Sequence, residues 1–174
     1  MRCSERRRAV AVAIGASSST ARSQTMNNFG LPISGVGRSN TMTRSIPSEL
    51  ETSINRQVLS HLDGLSAHSD VAGALSAALK PLGDVQMFCP DWQQYRYVVA
   101  STKGIIMAFA VGMDTTAFRL DERMKARALA SGGVPYPECG DQWVSFTLFR
   151  NDWPKIDIEF WARKAYVAAR ELER

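Results

Sequence analysis

The chain opens with 44 residues in which large apolar side chains recur at no helical or strand period, and regular patterning begins only near Ser45. From there Pro47 suits a first helical turn, and Ser48, Glu49 and Glu51 set hydroxyl and acid beside free amides. Leu50, Ile54, Val58 and Leu62 then return every four residues. This predicts an amphipathic helix ending near Asp63-Gly64. A second helix is expected from about Ser69 to Leu79, with Val71, Leu75 and Leu79 on one face and small Ala72, Ala74 and Ala78 allowing close approach. Pro81 and Gly83 stop it.

The period then falls from 3.6 to 2. Tyr95 to Ser101 is aromatic and β-branched, Lys103-Gly104 leaves a hairpin-sized gap, and Ile105 to Val111 follows. In that second strand Ile105, Met107, Phe109 and Val111 fall on one face and Ile106, Ala108 and Ala110 on the other, a bulky face and a shallow one. Gly112-Met113-Asp114 turns the chain into Thr115 to Leu120, and a further strand fits Asp84 to Phe88. Asp121 is placed to cap a short helix over roughly Glu122 to Ser131, which Gly132 stops. After a loop from Pro135 to Gly140, Gln142 to Phe149 alternates as a half-buried strand, with Val144, Phe146 and Leu148 opposite Trp143, Ser145 and Thr147. Asn151 or Asp152 then caps a closing helix with Pro154 in its first turn. Its buried stripe is Ile158, Trp161, Ala162, Ala165, Ala169 and Leu172, and Glu159 pairs with Arg163 on its surface. The expected fold is α+β, an antiparallel sheet of four to five strands flanked by an N-terminal helix pair, a short helix and a C-terminal helix.

Charge divides the chain at the same place as the pattern. Residues 1–44 carry seven Arg, no Lys and one acid, a net +6, whereas residues 45–174 hold 14 basic and 16 acidic residues, a net −2. The basic balance therefore belongs to a Ser- and Arg-rich segment, read as a disordered tail or a targeting segment, with Met26 or Met42 as alternative starts. Residues 45–174 read as a single α+β domain. A folded nucleic-acid reader needs positive charge on its folded face, so nucleic acid is not expected as a partner of this body, although the tail could touch it. Gly35-Val36-Gly37-Arg38 lacks the preceding strand that a phosphate loop requires. No run approaches the roughly 20 apolar residues that span a bilayer, so no membrane is expected. The compartment expected is the cytoplasm, or an organelle or the exterior if residues 1–44 direct export.

The candidate chemistry is sparse. His61 and His68 are the only histidines, Cys89 and Cys139 the only thiols after Cys3, and no C-x-x-C pair occurs. No catalytic set, metal or cofactor is expected. The alternative is a small hydrolase or transferase that depends on Cys139 or His61, acting as a pair if the two meet in space. Arg123 and Arg127, one helical turn apart, could grip an acidic partner or phosphate.

A resemblance rests on Phe109-Ala110-Val111, Ala117-Phe118-Arg119-Leu120-Asp121, Gly132-Gly133, Trp143-Val144-Ser145, and Trp153-Pro154 leading into Trp161-Ala162-Arg163-Lys164-Ala165. In order and spacing these 75 or so residues resemble the TfoX N-terminal and YjbR-like group of small α+β domains. The chain departs from that group in having Trp92-Gln93-Gln94-Tyr95-Arg96 before the hairpin and two helices before the sheet. The resemblance implies a binding or regulatory role without a general catalytic set. The leading expectation is a non-enzymatic domain that takes a protein or a small apolar ligand on one sheet face, the shallow one formed by Ile106, Ala108 and Ala110 with Trp143 and Thr147, or in the groove between the sheet and the closing helix.

Overall fold

Both faces of the central strands are apolar, so a sheet built from them has to be covered on both sides. The computed structural model describes residues 46–90, 97–149 and 155–172. All lie within one compact unit, Gly37–Arg174; the other unit, Met1–Val36, falls outside the described residues, as does the expectation of a tail or targeting segment.

A 3-10 turn at Ser48–Leu50 leads into helix α1 (Ser53–Leu62) and helix α2 (Ser69–Leu79). Strands β1 (Val85–Phe88), β2 (Val98–Thr102), β3 (Ile105–Val111) and β4 (Thr115–Arg119) follow, then helix α3 (Glu122–Ala130). Strand β5 (Val134–Pro135), a 3-10 turn at Pro137–Cys139, β6 (Trp143–Thr147) and helix α4 (Ile158–Glu171) complete the order. The sheet is antiparallel throughout, with strand order β1-β2-β3-β4-β6-β5. The fold is α+β as expected, with one strand more. The extra strand is the two-residue edge β5, which lies within the stretch that follows Gly133 and which Pro135 makes unreadable as a strand.

On one side of the sheet α2 and α4 bury Val71, Leu75, Leu79, Trp161, Ala162 and Ala165 against it. On the other side α1 and the 3-10 turn cover Ile106, Phe109, Ala117 and Trp143 with Val58, Leu62 and Cys139. The Lys103-Gly104 turn has positive φ at both residues, 49° and 78°, which matches the twist of a two-residue hairpin. Asp121 caps α3 by accepting the Met124 amide at 2.8 Å, and Gly132 ends that region at φ 89°.

Three expectations change. The first helix is not continuous from Pro47: Glu51 and Thr52 leave helical geometry and α1 starts at Ser53, turning Ile54 outward and Asn55 inward. Asn55 then donates to the carbonyls of Leu50 (3.0 Å) and Gly104 (2.7 Å) and accepts from the Ile106 amide (3.0 Å), pinning α1 to the hairpin. The closing helix begins at Ile158, where Asp157 accepts the Phe160 amide at 2.9 Å; Asn151, Asp152 and Pro154 lie outside the described residues, and Leu172 is exposed. Finally, β3 carries a bulge: Ala100 pairs with Ala108 but Ser101 pairs with Ile106, leaving Met107 extra. Ile105, Met107, Ala108 and Ala110 therefore face α2 and α4, whereas Ile106, Phe109 and Val111 face α1. Neither the bulky face nor the shallow face exists as a unit.

Candidate functional site

The bulge decides the fate of the expected partner surface. Ile106, Ala108 and Ala110 are fully buried and Trp143 is 1% exposed, so the protein's own helices occupy the surface that a partner would need. Ile106 and Trp143 lie on the α1 side and Ala108 and Ala110 on the α2/α4 side. The four therefore form no common surface and none of them is open to a partner. Arg123 and Arg127 stand exposed on α3, where the Arg127 guanidinium lies 4.7 Å from the centre of the Phe160 ring.

Two open concavities lie along α1. Ser53, Arg56, Gln57 and Ser60 recur at helical spacing and form a polar stripe, because Val58, Leu62 and Asn55 take the inward positions. Opposite this stripe runs the segment Tyr136 to Gly140. Gly140 has φ 108°, and a Cβ there would sit 3.4 Å from the Gln57 carboxamide oxygen, so glycine lets the turn lie close to the helix. Between the two is an open groove of about 480 Å³ lined by Ser53, Arg56, Gln57, Ser60, His61 and Glu138. A second depression of about 470 Å³, with Ile46, Glu51 and Leu59, meets the first at Arg56 and Ser60.

Within the groove His61 Nε2 lies 3.0 Å from the Tyr136 hydroxyl, with the rings edge to face at 5.4 Å. Tyr136 in turn packs edge-on against Phe109, which contacts Trp143. Burial, with help from Cys139 and Glu138, raises the pKa of the Tyr136 phenol, so the hydroxyl keeps its proton as a donor. Cys139 is buried beside it. Burial and then Glu138 push its thiol up to about 12 against the opposing pull of Arg119, which leaves it protonated at neutral pH and a poor nucleophile. The structure thus brings His61 and Cys139 to one corner, but the hydrogen bond of His61 goes to Tyr136. His68 caps α2, accepting the Asp70 amide at 3.3 Å, and among the described residues no group of three His, Cys, Asp or Glu is arranged to hold a metal ion.

Behind the corner lies Arg119, the last residue of β4, for which the sequence suggests no role. It is 3% exposed, donates from Nη2 to the Ile54 carbonyl at 2.9 Å, and lies 5.1 Å over the Trp143 ring, its cross-strand neighbour. Its Nε and Nη1 have no partner and no carboxylate faces it among the described residues. Desolvation lowers its pKa to about 10, partly offset by Cys139, so it remains cationic. An arginine sharing a strand face with Ala117 was the available signal. Arg56 and Glu138, on opposite walls of the groove, make no ion pair among the described residues.

None of the described helices is long and apolar enough to cross a membrane. Comparison with protein-family models, curated proteins and solved structures gives no match.

Proposed function

We propose that this domain is a binding module whose site is the groove between α1 and the Tyr136–Gly140 segment, and that it takes a small zwitterionic solute or the end of a peptide. The observation that carries this reading is the placing of Arg56 and Glu138, neither in an ion pair among the described residues, across a groove otherwise lined by Ser53, Gln57, Ser60 and His61. Hydroxyl, amide and imidazole groups fix orientation, while the two charges match an acid and an amine. The binding role agrees with the TfoX N-terminal-like resemblance, though the site moves from the buried sheet face to the helix edge and the ligand from apolar to polar. Calorimetric titration of the full chain with free dipeptides, against the same dipeptides acetylated and amidated, tests it. Binding is expected only for molecules with both charges, and Arg56→Gln and Glu138→Gln should each weaken it by about tenfold. Equal binding of the blocked dipeptides, or no change in either variant, contradicts it.

The hydrogen bond between His61 and Tyr136 favours a second reading, proton transfer on a bound substrate. Hydrolysis of an activated ester that disappears in His61→Asn and in Tyr136→Phe would support this; activity unchanged in both would dismiss it.

A further inference from the structure

A second surface is assembled by α3 and α4. Lys164 of α4 reaches back one turn to the Phe160 ring, at 5.3 Å from its centre, and Arg127 of α3 reaches the same ring at 4.7 Å. Two cations from different helices are therefore held no more than about 10 Å apart, the sum of those distances, which is within one screening length at moderate salt. Neither has a carboxylate within ion-pair distance among the described residues. Four of the five acids in these two segments are otherwise engaged, and the fifth, Glu171, lies at the last residue of α4: Asp121 and Asp157 cap their helices, Glu122 lies 3.9 Å from Lys125, and Glu159 pairs with Arg163. Arg123, itself exposed, adds a third cation one turn before Arg127, while Lys164 is partly buried.

Charge is segregated at the scale of the domain as well. The segments 121–130 and 155–172 hold seven basic and five acidic residues, whereas the rest of the described chain holds four basic and eight acidic. A ring that gathers like charges without a neutralising partner is complementary to an anion. Val167, half exposed and one turn beyond Lys164, adds an apolar contact on the same helix face.

We infer that the α3/α4 surface centred on Arg127, Phe160 and Lys164 docks a segment of a partner protein that mixes carboxylates with apolar side chains. A nucleic acid fits less well, because its charge continues past the patch onto a surface with twice as many acids as bases. The experiment titrates the isotopically labelled full chain with a hexapeptide alternating glutamate and leucine, with its lysine-for-glutamate counterpart, and with a short oligothymidylate. The acidic peptide is expected to shift the resonances of Arg127, Phe160, Lys164 and Val167, and the lysine peptide to leave them in place. Arg127→Glu combined with Lys164→Glu should weaken the acidic peptide by about tenfold or more, and added salt should weaken it in the native protein. Should the charge reversal disturb folding, Arg127→Gln with Lys164→Gln carries the same reading with a smaller loss. Shifts confined to other surfaces, affinity unchanged in both double variants, or tighter binding of the oligothymidylate at this patch would overturn the inference.

Discussion

Asn55 holds more of the structure than its polar side chain suggests. It satisfies two carbonyls and one amide from two separate segments, the 3-10 turn and the β2–β3 hairpin, and these groups would lose their partner at the buried seam without it. Asn55→Ala should therefore destabilise the domain by about 3 kcal/mol in urea unfolding, with a loss below about 1 kcal/mol contradicting the pinning role. Arg119 makes the opposite case, a buried cation with one hydrogen bond and a ring beneath it but no carboxylate among the described residues. Because an apolar side chain of similar length removes the desolvation cost, Arg119→Met should leave stability within about 1 kcal/mol of the native protein or raise it. A loss above about 3 kcal/mol would mean that Arg119 has a partner among the groups around it. Cys139 predicts a dependence on pH. Its thiol ionises at the ordinary 9.0 in the unfolded chain and only at about 12 in the fold, so its contribution is complete below 9 and declines as pH rises above it. Arg119 titrates with the opposite sign, its unfolded form holding more protons, but only above about 10. Between pH 8 and 10 the native protein should lose about 1 kcal/mol more than Cys139→Ala, and parallel losses would refute the buried-thiol account.

At the scale of elements, the bulge in β3 turns two adjacent residues, Met107 and Ala108, toward the same layer. Ala108 and Ala110 then sit beneath α2 and α4, whose own small residues Ala162 and Ala165 permit the close approach. An arginine at either position has neither room nor an anion, so Ala108→Arg should abolish cooperative unfolding, a cost above about 4 kcal/mol. A folded Ala108→Arg protein would restore the open-face reading. The strands and α2 were legible because alternation and fourfold spacing report which side of an element is dry. The bulge was not, since every residue from Ile105 to Val111 is apolar and a slip of one leaves the pattern unchanged. Asn55 was hidden for a related reason: a polar residue on a helix reads as solvent-facing until the backbone groups it serves are known. The groove could not be read at all, because His61 and Tyr136 are 75 residues apart and neither belongs to a motif.

Among the described residues the sheet has both faces closed, so the surfaces open to a partner are edges and helix faces. One such surface, along α1, sets a cation and a carboxylate across a polar groove; another, along α3 and α4, gathers cations on a ring. The protonated Cys139 thiol argues against an enzyme that uses Cys139 as its nucleophile, and the His61–Tyr136 pair is left to the ester test. The most direct measurement is a two-dimensional amide spectrum of the labelled full chain as a free dipeptide is added. The account predicts shifts concentrated at Ser53 to His61 and Tyr136 to Gly140, with the dipeptide unchanged after prolonged incubation. Shifts that miss both segments, or conversion of the dipeptide into a new species, would contradict it.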